Sequence, residues 1–160
     1  LKSEQMLQKM GEKQDLKFVT CRFGTIFGTS IGMRFHTAVN KFCWQAWLGQ
    51  PLTVWKTAME QKRPYLGVID AVRAIKLIIE NNCFDGEIYN VVSNNKTVRD
   101  IIDSICEIIP KIEVELVETE IMNQLSYEVL ADKIGHIGFE HNDSIDVGIR
   151  ETIKLLSGYK

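Results

Sequence analysis

Hydrophobic and polar positions along the 160-residue chain follow two different periods. Apolar residues recur every three or four positions in five stretches, which predicts helices over residues 3–14, 36–48, 71–79, 97–109 and 144–156. Short apolar runs lie between these stretches and predict strands near residues 17–22 and in the segments PLTVW, RPYLGV, EIYNVV and IEVELV. Strands that alternate with helices are typical of an α/β fold.

Polar residues at the predicted helix starts can act as caps. Asp70 precedes the third helix and is expected to cap it, and Ser144 is expected to cap the last one. Thr97, with Asp100 three residues later, predicts a capping box at the fourth helix. The third helix is expected to bury an apolar face that consists of Val72, Ile75, Ile78 and Ile79.

The segment RFGTIFGTS, residues 22–30, interrupts the first strand with two glycines four residues apart. Gly24 and Gly28 permit a close approach of the backbone to a ligand and a positive φ. We therefore expect this loop to border a binding site. A plain structural turn is the alternative interpretation.

Charge is unevenly distributed, although the net charge is only -2. Residues 1–76 hold 12 basic and 5 acidic side chains, whereas residues 77–160 hold 7 and 16. No acidic residue lies between Asp15 and Glu60. A basic, acid-free stretch around a glycine loop favours a compact anion such as a diphosphate, unless the gap arises by chance. The basic residues are too sparse for a strand-binding groove, so no nucleic-acid partner is expected.

Membrane and metal-binding proteins are disfavoured. No run approaches the roughly 18 to 20 apolar residues that span a bilayer, and no charged and apolar leader opens the sequence. We therefore expect a cytoplasmic protein with no membrane partner. His36, His136 and His141 lack the spacing of metal ligands and are expected at the surface or at caps.

Five segments carry a resemblance to a known family. They are RFGTIFG, GQPLTVW, KRPYLGVIDAVRAI, GEIYNVVSNNKTVRDII and IGFEHNDSIDVGIRETI. In this order and spacing they resemble the carboxyl-terminal half of the NAD-dependent epimerase/dehydratase family, the extended short-chain dehydrogenases. The resemblance implies the carboxyl-terminal part of a Rossmann-like NAD(P)-binding fold plus a small mixed α/β substrate-binding subdomain. Residues 1–35 would form the last part of the Rossmann-like sheet and the loop to the substrate pocket, and residues 36–160 the subdomain with interleaved Rossmann elements.

Two motifs of that family do not occur in the sequence. These are the G-x-x-G-x-x-G loop that holds the NAD pyrophosphate and the Tyr-x-x-x-Lys pair that transfers protons. The chain therefore resembles the family pattern cut just after its catalytic pair. We expect the isolated chain to be inactive and not to bind NAD tightly. We also expect its exposed surfaces to associate with a missing amino-terminal half or with a second copy.

The resemblance assigns roles to the glycine loop. Phe23 and Gly24 would border the nicotinamide of NAD. Thr25 stands where epimerases often place an Asn that contacts the substrate, and is expected to bind substrate.

The resemblance also assigns substrate-binding residues further along the chain. Leu52 and Val54 would flank the nucleotide base, with a role in the core as the alternative. Arg63 would contact the substrate diphosphate, because a planar guanidinium suits phosphate oxygens; a solvated surface arginine is the alternative. A cation that many epimerases carry further on is missing here, so neutral donors such as Gln124 and Tyr127 are expected to complete the site.

Three functional hypotheses follow from these residues. The first is the substrate-binding half of a sugar-nucleotide epimerase or dehydratase, with a UDP-sugar as the expected ligand and NAD as the cofactor of the complete enzyme. The second is a non-catalytic nucleotide-sugar binding module. The third is a structural or assembly remnant with a decayed pocket. The sequence leaves open which sugar nucleotide is bound and which reaction follows.

Overall fold

The computed structural model describes residues 2–118 and 125–158 and confirms the α/β fold. Strands and helices alternate along most of the chain. In chain order they are α1 (Lys2–Gln14), β1 (Thr20–Phe23), β2 (Thr25–Phe27), α2 (Ala38–Trp47), β3 (Leu52–Trp55), β4 (Lys62–Gly67), α3 (Val68–Glu80), β5 (Ile88–Val91), β6 (Asn94–Thr97), α4 (Val98–Ile108), β7 (Val114–Val117), α5 (Asp132–Gly135) and α6 (Ile145–Ser157).

The strands of the described residues form three small sheets. β1 pairs with β5, β3 with β7 and β2 with β4, all in parallel, and β6 adds to β4 in antiparallel orientation. The sequence pattern did not predict β2 and β6. The residues of β6, NNKT, have no apolar alternation, so only the partner strand β4 makes them a strand.

The core consists of two clusters of buried side chains. One cluster lies between α2, α4, α6 and strand β3, with Phe27 of β2 in contact with it. The other joins α3, β5 and α5 through Leu66 of β4. β4 therefore contributes to both clusters, since its neighbouring residues Tyr65 and Leu66 belong to different ones. Across residues 2–118 and 125–158, no helix has both the length and the apolar character that a membrane span requires.

The predicted apolar face of α3 is wrong in part. Val72 and Ile79 are each 59% exposed and Ile75 is 44% exposed, whereas Ile78 is buried beside Ala71 and Ala74. The helix thus packs through Ala71, Ala74 and Ile78. Two adjacent apolar stripes occur on this helix, and periodicity alone does not select the one that faces the sheet.

Asp70 does not cap α3, contrary to the sequence-based expectation. The helix begins at Val68, and its N-cap residue is Gly67, which has no side chain to form a capping hydrogen bond. Asp70 lies in the first turn with 0% exposure. Both other predicted caps are confirmed: Thr97 forms a capping box with Asp100, and Ser144 accepts a hydrogen bond from the Val147 N–H.

The carboxylate of Asp70 accepts hydrogen bonds from several parts of the chain. The backbone N–H groups of Asn142 and Asp143 donate to it over 3.0 Å each, and the Ser93 hydroxyl donates over 2.8 Å. Arg73, one turn along α3, forms an ion pair with it at 2.7 Å. Burial by itself raises the pKa of Asp70, but these hydrogen bonds outweigh it and lower the pKa below the ordinary 3.8.

Backbone N–H groups at the start of α3 also donate hydrogen bonds to the side chains of Asp143 and Ser93. The Asp143 carboxylate accepts from the Asp70 N–H over 2.9 Å, and the Ser93 hydroxyl accepts from the Gly67 N–H over 3.1 Å. The contact is tight, because a Cβ on Gly67 would lie 1.9 Å from the Asp143 carboxylate. We call Gly67, Asp70, Ser93, Asn142 and Asp143 the Asp70 junction. It joins the start of α3, the β5–β6 connection and the segment before α6.

Asp70→Asn is expected to lower the free energy of unfolding by about 2 to 4 kcal/mol, because an amide cannot accept from all of these donors. Since folding lowers the pKa of Asp70, its stabilising contribution is present above pH 3.8 and is lost as the pH falls through the folded-state pKa. The difference between the two proteins should therefore shrink in acid. Urea unfolding between about pH 2 and pH 7 measures it.

Asp132→Asn is the matched control, because Asp132 is an exposed first-turn aspartate in α5. It should change stability by less than about 0.5 kcal/mol. An Asp70→Asn protein as stable as wild type at pH 7 would contradict the structural role of the junction.

Candidate functional site

A cavity of about 340 Å³ opens between β2, α2, β3 and β4. Val54 and Tyr65 contribute its apolar wall, and Thr25 of β2 lies on its border. Burial raises the pKa of Tyr65 to about 12, so the phenol is a neutral hydroxyl at physiological pH. Lys41 of α2 and Arg63 of β4 bring two positive charges to the same cavity.

Among the described residues, no carboxylate lines this cavity. Two cations in a lining whose described residues include no carboxylate favour an anionic ligand. The volume falls within the range of about 300 to 1,000 Å³ of small-molecule pockets. The cavity therefore suits an anionic small molecule with an apolar part.

Lys41 is oriented by the neighbouring strand β3. Its ammonium donates to the Thr53 hydroxyl over 2.9 Å and to the Thr53 carbonyl over 3.2 Å. Because both acceptors are neutral, these hydrogen bonds fix the side chain while its charge is not cancelled by a carboxylate. Lys41 was not among the predicted site residues, although it lies in the acid-free stretch between Asp15 and Glu60, which was a usable signal.

Arg63 lies at the start of β4 and is held on several sides. One terminal nitrogen, Nη1, donates to the Leu125 carbonyl over 2.7 Å and to the Lys62 carbonyl over 2.8 Å. The other, Nη2, donates to the Gln61 side-chain oxygen over 2.8 Å. The guanidinium also stacks on the Tyr127 ring, with 5.1 Å between the guanidinium carbon and the ring centroid.

Residues 125–130 form a segment without regular secondary structure beside β4, which we call the strap. The Lys62 N–H donates to the Ser126 hydroxyl over 2.9 Å, and the Tyr127 N–H donates to the Lys62 carbonyl over 3.3 Å. Lys62 also forms an ion pair with Glu128. Arg63 thus lies between the strap and the cavity.

The two glycines of the loop are required for different reasons. Gly28 has a φ of 105°, which favours glycine, and its N–H donates to the Asn40 side chain over 3.3 Å. Gly24 instead permits a close approach, because a Cβ there would lie 3.1 Å from the backbone of Pro64 and Tyr65. At Gly24 the group that approaches is therefore strand β4.

The predicted site residues divide into three sets. Thr25, Val54 and Arg63 line the cavity, and Tyr127 adjoins it through its stacking on Arg63. Leu52 is 0% exposed and belongs to the core cluster, so its side chain has no surface that a ligand could contact in this structure. Phe23 and Gly24 lie at the end of β1 and do not line the cavity. Gln124 lies outside the described residues.

His36 is exposed, as expected, but it also lines the cavity. Together with Thr37 it separates this cavity from a second one of about 360 Å³, which the loop after β2 encloses with Asn40 and Val68. Within the described part of the chain, no group of His, Cys, Asp or Glu side chains could hold a metal ion.

Not every basic residue of the acid-free stretch reaches the cavity. Arg22 forms a two-point ion pair with Glu4, with both nitrogen–oxygen distances at 2.7 Å. The hydrogen bond from Arg22 lowers the pKa of Glu4 to about 2. Lys56 forms an ion pair with Glu118. Among the described residues, the cavity lining thus contains one lysine, Lys41, and one arginine, Arg63.

The parallel strand pairs and their connecting helices define a Rossmann-like α/β protein. Residues 1–91, more than half of the chain, match the family described as the NAD dependent epimerase/dehydratase family. The chain belongs to this family, which confirms the resemblance seen in the sequence.

Individual relatives match a part of the chain or only its fold. The chloroplastic UDP-sulfoquinovose synthase of Spinacia oleracea is 41% identical over 69 residues, which are 42% of this chain and 14% of that protein. The UDP-glucose 4-epimerase of Thermus thermophilus, solved with NAD, has a TM-score of 0.83 at 24% identity. The UDP-glucuronic acid 4-epimerase of Bacillus cereus, solved with UDP-glucuronic acid and NAD, has a TM-score of 0.86 at 17% identity.

Both structural matches cover 98% of this chain but only 52% and 50% of the solved chains. The chain thus spans about half the length of these relatives. At these identities the structural likeness establishes a shared fold, and the ligands of the relatives are properties of those proteins.

Proposed function

We propose that this chain is the substrate-binding half of a sugar-nucleotide epimerase or dehydratase and that its ligand is a UDP-sugar. The observation that carries the proposal is the cavity with Lys41 and Arg63 on its wall and no carboxylate in its described lining. A nucleoside diphosphate-sugar has the matching chemistry, since its two phosphates are anionic and its base and sugar rings can lie against apolar side chains. The family membership and the UDP-sugar names of the relatives support this choice.

In this proposal the cavity residues have distinct roles. Arg63 binds the diphosphate, and Lys41 supplies a second positive charge to the same ligand. Val54 flanks the nucleotide base, Thr25 donates to or accepts from the sugar, and Tyr127 supports Arg63. Leu52 has the alternative role in the core, in the same buried cluster as Val54, and Gln124 is kept as a proposed ligand residue.

NAD is the cofactor of the proposed complete enzyme. It supplies the oxidation of a sugar hydroxyl to a ketone and the return of the hydride. The residues present do not fit the whole cofactor, because the sequence has no glycine-rich pyrophosphate loop and no Tyr-x-x-x-Lys pair. Phe23 and Gly24, at the end of β1, are proposed to border only its nicotinamide.

The proposal includes the assignment of residues 1–35 to the Rossmann-like sheet and of residues 36–160 to the substrate subdomain. It also includes a cytoplasmic location with no nucleic-acid partner. A nucleotide-sugar binding module without catalysis is the alternative if a complete enzyme cannot be reconstituted. A remnant with a decayed pocket is the alternative if UDP does not bind.

The affinity of the chain for UDP tests the diphosphate assignment. Arg63→Ala should weaken binding by about ten- to a hundred-fold, as expected for the loss of one charge-assisted contact of roughly 1.5 to 3 kcal/mol. Arg63→Lys should recover only part of the affinity, because an ammonium cannot form the two-point contact. Calorimetric titration of UDP and of UDP-glucose, at low and at moderate salt, measures these effects.

Arg99→Ala is the matched control. Arg99 is an exposed arginine that forms an ion pair with Glu60 and does not line the cavity. Its removal should leave UDP affinity unchanged within about twofold. Saturable UDP binding that Arg63→Ala does not weaken would show the diphosphate assignment to be wrong.

The isolated chain is expected to leave UDP-glucose unchanged and to bind no stoichiometric NAD, because the motifs for proton transfer and for the pyrophosphate are missing. Nuclear magnetic resonance of UDP-glucose incubated with the chain measures the first expectation. Equilibrium dialysis with NAD measures the second. Epimerisation by the chain without an added partner would contradict this prediction.

We also propose that an amino-terminal half or a second copy covers the apolar surface and the strand edge that are exposed among the described residues. Within the described residues β1 pairs only with β5, and α3 exposes Val72, Ile75 and Ile79. Open strand edges and contiguous apolar side chains favour association. Light scattering of the purified chain should show a species larger than a monomer. A monomer at high protein concentration with no bound partner would contradict self-association.

A further inference from the structure

The strap is held mainly by polar groups. Leu125 is 81% exposed and Leu130 is 71% exposed, so burial of these side chains does not hold the segment in place. Hydrogen bonds and one ion pair instead connect it to the body of the protein, from Lys62 of β4, Asn90 of β5 and Asn95 of β6. The position of the strap therefore depends on a small number of polar side chains.

Asn95 binds the strap through two hydrogen bonds to the backbone of Val129. Its side-chain nitrogen donates to the Val129 carbonyl over 3.0 Å, and its side-chain oxygen accepts from the Val129 N–H over 3.0 Å. One amide side chain thus satisfies both backbone groups of Val129, as a neighbouring strand would do. Asn90 adds one bond, from its side chain to the Leu130 carbonyl over 3.1 Å.

The strap in turn fixes Arg63. The Leu125 carbonyl accepts from Nη1 of Arg63, and the Tyr127 ring stacks on the guanidinium. Both groups lie within four residues of Val129, on a backbone that Asn95 helps to hold together with Lys62. A shift of the strap would therefore move or release a guanidinium that lines the cavity.

We propose that Asn95 is a positioning residue: by holding Val129 it fixes the strap, and the strap orients Arg63 toward an anionic ligand in the cavity. This inference rests on the proposed function, because it concerns the same cavity and the same phosphate contact. Asn95 itself does not line the cavity. Its effect on ligand affinity is therefore exerted through Arg63.

The test is a double-mutant cycle with UDP as the titrated ligand. Asn95→Ala should weaken UDP binding by roughly three- to tenfold, the range for one or two hydrogen bonds that hold a ligand-binding group in place. In an Arg63→Ala background the same change should cause no further loss, because the group through which Asn95 acts is already missing. A purely structural role of Asn95 would produce the same fold-change in both backgrounds.

Asn94→Ala is the matched control. Asn94 lies next to Asn95 in β6 and also donates to a backbone carbonyl, but that carbonyl belongs to Asp143, at 3.1 Å, and lies outside the strap. This variant should bind UDP within about twofold of wild type. Hydrogen exchange provides a readout without ligand: strap amides at residues 125–130 should exchange faster in Asn95→Ala but not in Asn94→Ala.

The outcomes separate the two proposals. If wild type binds UDP and Asn95→Ala binds it equally well, or if the loss persists in the Arg63→Ala background, the positioning role is overturned and the proposed function stands. If wild type shows no saturable UDP binding, the proposed function is overturned and this inference with it. If Asn95→Ala does not fold by circular dichroism, Asn95→Ser, whose side chain is too short to reach both groups of Val129, takes its place in the cycle.

Discussion

The buried carboxylate of Asp70 is the interaction on which the two core clusters most depend. It accepts hydrogen bonds from residues that lie 23 to 73 positions away in the chain. A buried carboxylate without partners is strongly unfavourable, so its donors must stay in place for the fold to persist. Because those donors belong to the β5–β6 connection and to the segment before α6, one side chain sets how β4 and α3 meet the carboxyl-terminal helices.

β4 carries this constraint to the cavity. Its last residue, Gly67, packs against Asp143 in the junction, while its second residue, Arg63, lines the cavity. The close approach of Gly24 to Pro64 and Tyr65 brings β2 against the same strand. Hydrogen bonds orient both cations of the cavity: Lys41 donates to Thr53, and Arg63 donates to Gln61 and to the strap. Because both acceptors of Lys41 are neutral, its positive charge stays on the cavity wall, where it can attract an anion.

Sequence reasoning identified part of the candidate site. Arg63, Val54 and Thr25 were predicted from the resemblance and line one cavity. Lys41 was missed, because a lone lysine on an amphipathic helix is most often solvated, and only the packing of α2 against β3 turns it toward Thr53. The double contact between Asn95 and Val129 was not predictable, since no local pattern links residues 34 positions apart.

The sequence by itself determined the α/β class, the family and most helices, because periodicity, capping residues and turn glycines are local properties of the chain. Tertiary structure alone decided which stripe of α3 is buried, that NNKT forms a strand, and that Asp70 bonds distant backbone groups instead of capping its helix. The physical reason is the same in each case. Burial, strand pairing and hydrogen bonding of a buried charge depend on residues far away in sequence. Local preferences contain no information about which of these residues will form the contact.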